Sequence, residues 1–296
     1  EVPVADETND FVSVSKNQVV SQAPLLDTQC AAIITPLCEN IFGNVVILGS
    51  TGETGKWITK ELLSAPQVDH VYTFVRNINE SISHPKLTQS KFTFDLINDN
   101  EETIVNGFTE IWPNVDIDSV FTSLGTTIKQ QGGSEEKFYK IDYTTNYLFA
   151  KVAKDKNVKQ FHLVSSASAD SSSSMFYLRT KGQLENAIKD LQFPYFAAYR
   201  PGILDGVHRP EGRLGESVAL WTCNHLLWWL NGNLLYKTRP IHVHDVARSM
   251  VRNWAQRFQL ENTDKNILNT PETQIFDGST PILHVIDDME HVKAAL

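Results

Sequence analysis

The amino-acid sequence predicts an α/β fold in which helices cover both faces of one parallel sheet, the doubly wound arrangement. From Asn44 onward, short β-branched segments alternate with segments of helical periodicity, which is typical of βαβ units. Three glycines separate the first predicted strand from the first predicted helix, as in dinucleotide-binding folds. With 296 residues, 41% of them hydrophobic and 21% charged, the chain is long enough to bury a sizeable core.

Six segments carry the strand signature, being short and rich in β-branched or aromatic residues. They are 44–48, 71–75, 91–96, 119–125, 160–166 and 195–204. Between the last two, Leu184, Ala187, Ile188 and Leu191 follow the i, i+3, i+4, i+7 spacing of a helix with one buried face. In a doubly wound sheet, ligands bind at the carboxyl ends of the strands, so functional residues are expected just after each strand.

Composition predicts two parts of unequal size. Residues 1–40 are acidic and have no helical or alternating period, which is typical of a flexible arm. Residues 41–296 are expected to form one domain that includes a small carboxyl-terminal substrate lobe at about 205–240. The net charge of −9 argues against nucleic acid as a partner, and no apolar run approaches the ~20 residues of a transmembrane span. Three cysteines form no spaced framework, which favours a reducing compartment.

The stretch GSTGETG, residues 49–55, is the first candidate binding element. In a phosphate cradle the first glycine allows a tight turn, the second lets backbone approach a pyrophosphate, and the third lets the helix pack closely on the strand. A glycine-rich turn is the alternative, but it does not explain three glycines that open a helix. The sequence therefore predicts a Rossmann-type cradle made by Gly49, Ser50, Thr51, Gly52, Glu53, Thr54 and Gly55.

Arg76 decides which dinucleotide is predicted. An NAD site needs a carboxylate near the end of the second strand to accept a hydrogen bond from the ribose 2′-hydroxyl. Arg76 occupies that place, and a guanidinium suits a 2′-phosphate. NADP(H) is therefore the predicted cofactor, with a plain surface charge as the alternative for Arg76. Asp95, after the third strand, is interpreted as an adenine-side contact or as a helix N-cap.

Several motifs in order resemble one known superfamily. SLGTT (123–127), KIDYTTNYLFAKVAK (140–154), LVSSASAD (163–170), YLRTK (177–181) and RPG (200–202) accompany the glycine stretch. Across residues 44–250 this set resembles the atypical short-chain dehydrogenase/reductases, and it is similar in particular to the Tat-interacting-protein family and its fungal mitochondrial relatives. The resemblance favours mitochondrial over cytoplasmic localisation. It also implies further cofactor contacts from Leu124, Gly125, Thr126, Arg200, Pro201 and Gly202.

The resemblance implies a catalytic set of Ser166, Tyr177, Lys181 and Asn146. Tyr177 would supply a proton, Lys181 would hold the nicotinamide ribose and favour the phenolate, and Ser166 would orient a substrate carbonyl. Ser165 is the rival for the serine role, because adjacent strand residues point to opposite faces. Asn146 is expected to support a proton-relay water or to be an ordinary helix-surface amide.

The spacing Y-x-x-x-K also occurs at Tyr147 and Lys151. Tyr147 stands among apolar residues on the predicted helix after the fourth strand, so packing is its preferred interpretation. His242 and His244, two apart on a predicted strand, raise the possibility of a metal site. Because no third ligand is evident, no metal is predicted, and Asp245 is interpreted as the N-cap of the next helix.

Three possibilities of different classes remain open from the sequence. One is an NADPH-dependent reductase that acts on a carbonyl in a partly apolar pocket. Another is an NADPH-binding regulatory or assembly protein that acts through protein partners, and an inert subunit of a larger assembly is a third. The apolar segment 220–230 is interpreted as a pocket or core helix in preference to a membrane or partner surface. The serine, tyrosine and lysine favour the enzyme.

Overall fold

The structure is a computed structural model that describes residues 43–202, 204–205, 241–269 and 271–277. Its centre is a seven-stranded, entirely parallel sheet in the order β3-β2-β1-β4-β5-β6-β9. These strands are β1 (Gly43–Leu48), β2 (Val68–Val75), β3 (Leu87–Lys91), β4 (Ser119–Thr122), β5 (Gln160–Val164), β6 (Tyr195–Arg200) and β9 (Glu272–Asp277). The strand order reverses between β1 and β4, which creates the crevice where doubly wound folds bind ligands. The predicted fold class is confirmed.

Helices and a short strand pair complete the described structure. The helices are α1 (Glu53–Ser64), α2 (Glu101–Glu110), α3 (Glu135–Tyr139), α4 (Asn146–Asp155), α5 (Phe176–Asp190) and α6 (Val243–Thr263). A π-helical turn, Lys140–Thr145, joins α3 to α4, and a 3₁₀ turn, Lys265–Asn269, precedes β9. The strands β7 (Leu204–Asp205) and β8 (Ile241–His242) form a separate parallel pair.

Each face of the sheet carries its own apolar core. On one face, β1 side chains pack with Ile58 and Leu62 of α1 and with Trp254 of α6. On the other face, the remaining β1 side chains pack with Phe108 of α2 and Phe149 of α4. Alternate β1 residues therefore serve opposite cores, which explains why β1 reads as a continuous apolar run. This rigid centre positions the loops at the carboxyl ends of the strands.

The structure corrects two local predictions. The third strand is Leu87–Lys91 and not 91–96. Phe92 and Phe94 instead stack on each other with ring centroids 4.7 Å apart, and both pack against Phe108, so their aromatic pattern reflects core packing. The last strand, β9, lies at the edge of the sheet and was not predicted.

Several predictions fall on residues outside the described ranges. The arm at 1–40, the apolar segment 220–230 and all of the lobe predicted at about 205–240 except Asp205 lie there. Across the described ranges, no helix combines the length and the apolar character that crossing a bilayer requires.

Candidate active site

The glycine loop takes the tight path that the cradle prediction requires. Gly49 has φ of +88°, and a Cβ added there would lie 2.5 Å from the backbone nitrogen of Leu124. A Cβ on Gly55 would lie only 2.1 Å from the carbonyl oxygen of Gly49. Glycine at both positions is thus required by the fold itself, because the loop folds back on α1 and presses against the loop after β4.

Gly52 is different, because the protein around it leaves room for a side chain. A Cβ there would meet only the Gly49 carbonyl oxygen, at 3.4 Å, and φ is an ordinary −72°. Gly52 is the N-cap of α1, and no side chain caps this helix end. The open backbone and the uncapped N–H groups, with the positive end of the helix dipole, fit a bound diphosphate.

Arg76 and Asp95, the two residues predicted on the adenosine side, lie in the segments that follow β2 and β3. Arg76 follows β2 directly, is exposed, and forms no ion pair with a described residue. The Asp95 carboxylate accepts hydrogen bonds from the backbone N–H groups of Ile97 and Asn98, which lower its pKa. The N-cap of α2 is Asn100, so the helix-cap interpretation of Asp95 is wrong. Asp95 caps a turn, and its adenine contact remains a prediction.

Hydrogen bonds hold the loop after β4 in place beside the glycine loop. The Ser123 hydroxyl donates to the Gly49 carbonyl oxygen at 3.1 Å, and the Asn146 amide donates to the Leu124 carbonyl oxygen at 3.2 Å. The backbone N–H of Thr126 donates to the Asp142 carboxylate at 2.8 Å. The predicted contacts Leu124, Gly125 and Thr126 therefore lie beside the cradle.

Asn146 is fully buried, so its interpretation as a helix-surface amide is wrong. Its amide nitrogen also donates to the carbonyl oxygens of Ile141 and Asp142, which belong to the π-helical turn. Its amide oxygen accepts from the Thr122 hydroxyl. Asn146 thus fastens the π-helical turn to the loop after β4, and a role in a proton-relay water stays a prediction.

Lys181 is a buried cation with one close anionic partner. Its Nζ lies 2.7 Å from Asp142 Oδ1, and the two side chains are 6% and 1% exposed. Burial opposes the charge, but Asp142, Tyr177 and Glu185 outweigh it and raise the pKa of Lys181 above its ordinary value. Tyr177 lies one helical turn earlier on α5, half-buried, with its ring 5.7 Å from that of Phe138. Tyr147, by contrast, packs against the core and stacks near Tyr143.

The two candidate serines have different surroundings. Ser165 is buried and donates to Glu185. Among the described residues, the Ser166 hydroxyl contacts only the carbonyl oxygen of Ala167, at 3.4 Å, and Ser166 is half-buried. The geometry leaves the Ser166 hydroxyl available to a substrate, whereas that of Ser165 is engaged inside the fold.

Glu185 also holds Arg200, the first residue of the RPG motif. Arg200 Nε lies 3.0 Å from Glu185 Oε1, and Nη2 lies 2.5 Å from Oε2. After it, the carbonyl oxygen of Pro201 accepts from the Ala167 backbone at 2.9 Å. Pro201 and Gly202 therefore lie beside the loop that carries Ser166, while the cofactor contact predicted for Arg200 remains untested.

Sequence reasoning missed two buried acids of this site, Asp142 and Glu185. Glu185 could have been found, because it is four residues after Lys181 and so lies on the same face of α5. Asp142 carries a weaker signal, since nothing in its spacing indicates that it faces α5. In the structure both acids are recognised by their cationic partners, Lys181 for Asp142 and Arg200 for Glu185.

The histidine pair has a structural explanation. The helix α6 begins at Val243 and its N-cap is His242, whose Nδ1 accepts the His244 backbone N–H at 3.2 Å, so Asp245 is not the N-cap. His244 Nε2 lies 2.7 Å from Glu61 of α1, which links the two helices. Within the described ranges, no three His, Cys, Asp or Glu side chains converge as metal ligands would.

Sequence comparison then places the chain in a family. A family model described as HIM1 matches residues 77–227. The chain is 39% identical over 235 residues to "Protein FMP52, mitochondrial" of Meyerozyma guilliermondii, covering 78% of this chain and 92% of that protein. The chain belongs to the FMP52 family. The Candida albicans FMP52 protein is 34% identical over 216 residues, covering 71% of this chain and 87% of the relative.

Two predictions that rested on the resemblance are confirmed by the FMP52 relatives. The two relatives are fungal proteins named as mitochondrial. Their names confirm the predicted similarity to fungal mitochondrial relatives. They also confirm the mitochondrial localisation that the resemblance favoured for this FMP52-family chain.

Solved structures support the same fold. WbmH of Bordetella bronchiseptica, determined in complex with NAD+, has a TM-score of 0.53 at 14% identity and covers 86% of this chain and 82% of its own. UDP-glucose 4-epimerase of Thermotoga maritima, determined with UDP-glucose, has a TM-score of 0.50 at 15% identity and covers 70% and 72%. At these identities the likeness shows the fold alone, the doubly wound parallel sheet.

Proposed function

We propose that this FMP52-family chain is an NADPH-dependent oxidoreductase that reduces a carbonyl substrate. One observation carries the proposal: a buried Lys181 ammonium, held charged by Asp142, lies one helical turn from Tyr177. A buried charged pair is costly to maintain for stability alone. Its position beside Gly125, in the loop that presses on the glycine cradle, favours a catalytic use of the charge.

The proposed chemistry assigns one task to each side chain. NADPH supplies the hydride when it is bound. The Ser166 hydroxyl donates a hydrogen bond to the substrate carbonyl oxygen and orients it. Tyr177 donates its phenolic proton to that oxygen as negative charge develops. The Lys181 ammonium stabilises the resulting phenolate and donates to the nicotinamide ribose.

The choice of NADP(H) over NAD(H) rests on Arg76. Its exposed guanidinium lies at the end of β2, where an adenosine ribose would approach, and no described acid pairs with it. A planar guanidinium binds phosphate by two parallel hydrogen bonds. No carboxylate takes that place to receive the ribose 2′-hydroxyl of NAD.

The test is a titration of the purified protein with NADPH, followed by nicotinamide fluorescence and then by addition of aldehydes, ketones and quinones. Saturable binding with consumption of NADPH is expected. Tyr177→Phe should bind NADPH normally and lose turnover, while Tyr147→Phe should keep turnover, with any effect confined to stability, because it retains the ring that packs against the core.

The outcomes separate the proposed enzyme from its rivals. Binding without consumption by any substrate would favour the NADPH-binding regulatory or assembly protein. An inactive Tyr147→Phe beside an active Tyr177→Phe would show that the catalytic tyrosine is misassigned. Absence of NADPH binding would overturn the proposal altogether.

A further inference from the structure

Asp142 joins two parts of the candidate site through one carboxylate. Its Oδ1 lies 2.7 Å from Lys181 Nζ on α5, and its Oδ2 accepts the Thr126 backbone N–H at 2.8 Å. The carboxylate is 1% exposed. The catalytic lysine and the loop after β4 are thereby fixed to the same group.

The surroundings of Asp142 show a site built around this carboxylate. The Asn146 amide donates to the Asp142 carbonyl oxygen at 3.1 Å and fixes the π-helical turn that carries it. A Cβ on Gly125 would lie 3.2 Å from Asp142 Oδ1 and 3.6 Å from Lys181 Nζ. A larger residue at 125 would therefore press on the ion pair, which gives a structural reason for the glycine in the SLGTT motif.

We propose that Asp142 is a positioning residue, which holds Lys181 as an ammonium and ties its location to the loop Leu124–Thr126. This inference rests on the proposed function, because it concerns the same lysine. Asp142 acts through Lys181 and Thr126. A cofactor that orders the loop would, through this carboxylate, also set the position of the lysine.

Removal of the negative charge of Asp142 should change the pH at which Lys181 loses its proton. The charged and titratable groups that face Lys181 are Asp142 on the π-helical turn and Tyr177 and Glu185 on α5. Glu185 is already paired with Arg200 of β6. In Asp142→Asn, burial of Lys181 would persist without its closest anion, so the ammonium should lose its proton at a lower pH.

The experiment compares Asp142→Asn with Asp118→Asn. Asp118 is also a Lys-paired aspartate, 3.3 Å from Lys159, and it also accepts a backbone N–H, from Asn44. It precedes β4, at the amino-terminal end of the sheet. The pair therefore matches in chemistry and differs in location.

Two measurements decide the proposal. The first is the Lys181 Nζ resonance followed by ¹⁵N NMR against pH, which needs no substrate. The second is the pH dependence of kcat. In Asp142→Asn both the Lys181 titration and the basic limb of kcat should move down by about one pH unit or more, a tenfold change in proton affinity per unit. In Asp118→Asn neither should move.

An unchanged Lys181 titration in Asp142→Asn would overturn the proposal, as would an equal shift in Asp118→Asn. If Asp142→Asn fails to fold, Asp142→Glu keeps the charge, and Lys181 should titrate in it as in the unmodified protein; a folded Asp142→Glu in which Lys181 loses its proton about one pH unit or more lower would also overturn the proposal. Failure of the proposed function is distinguishable, because it would abolish turnover in the unmodified protein while leaving the NMR comparison intact.

Discussion

Gly52 and Gly55 offer a direct test of the cradle, because the fold requires only one of them. A Cβ at Gly55 would lie 2.1 Å from the Gly49 carbonyl oxygen and 2.7 Å from the Ser123 hydroxyl. A normal carbon–oxygen contact is about 3.3 Å, so the start of α1 would have to withdraw by about 1 Å. At Gly52 the nearest atom is 3.4 Å away and the backbone suits any residue.

The expected effects on stability follow from these distances. Overpacking against backbone costs about 1–3 kcal/mol, and a contact of 2.1 Å lies at the upper end of that range. The better helix propensity of alanine offsets about 1 kcal/mol of this cost. Gly55→Ala should therefore lower the free energy of unfolding by about 2 kcal/mol, or the Tm by about 4–8 °C for a domain of this size. Gly52→Ala should cost less than about 1 kcal/mol, the difference between a glycine and an alanine N-cap.

Gly52→Ala, the variant with the smaller expected loss of stability, should show a large loss of NADPH affinity. In Gly52→Ala the new methyl group occupies the space that a pyrophosphate would enter, so NADPH affinity should fall about tenfold or more, which is at least about 1.4 kcal/mol. The assay pairs thermal unfolding with an NADPH titration of both variants. Gly52→Ala binding NADPH as the unmodified protein does would refute the cradle. Equal stability of Gly55→Ala and the unmodified protein would refute the packing argument.

Three further predictions concern other parts of the molecule. Arg76→Ala should weaken NADPH binding about tenfold or more and leave NADH binding nearly unchanged, because the guanidinium meets the 2′-phosphate alone; titrations with both nucleotides check it, and equal losses would contradict it. Ser166→Ala should lower kcat at unchanged stability, whereas Ser165→Ala should lower the Tm, because it leaves Glu185 short of a buried donor; an inactive but stable Ser165→Ala would reverse the assignment. Burial lowers the pKa of His162 to about 3. Below pH about 6.5 the unfolded chain therefore binds a proton at this histidine that the folded chain does not bind. The free energy of unfolding should fall by about 1.4 kcal/mol per pH unit as the pH drops from about 6.5 toward about 3. Denaturant titrations at pH 7, 6, 5 and 4 should show a smaller loss in His162→Gln, and parallel curves would contradict this explanation.

Local pattern predicted much of the fold because the relevant physics is local. A parallel strand buried on both faces is mostly apolar, so β1, β4, β5 and β6 were recognisable in the sequence even though β5 holds the buried polar residues Gln160 and His162. The cradle was recognisable because a glycine with φ of +88° and a close helix contact leave few other residue choices at positions 49 and 55. The prediction of the third strand was wrong for the converse reason. Phe92 and Phe94 satisfy a strand pattern, but they serve the core around Phe108.

The amino-acid sequence by itself determined the fold class, the family and the candidate Tyr177–Lys181 pair, since each depends on residue types at fixed short spacings. Only the tertiary structure showed that Glu185 engages the Ser165 hydroxyl, that Asn146 is buried, and that Asp142 lies beside Lys181. Those outcomes depend on contacts between elements far apart in the chain, such as the 2.7 Å pair across 39 positions from Asp142 to Lys181. The role of a carboxylate such as Asp142 is evident only in the folded protein, where burial excludes water and one cation is its close partner.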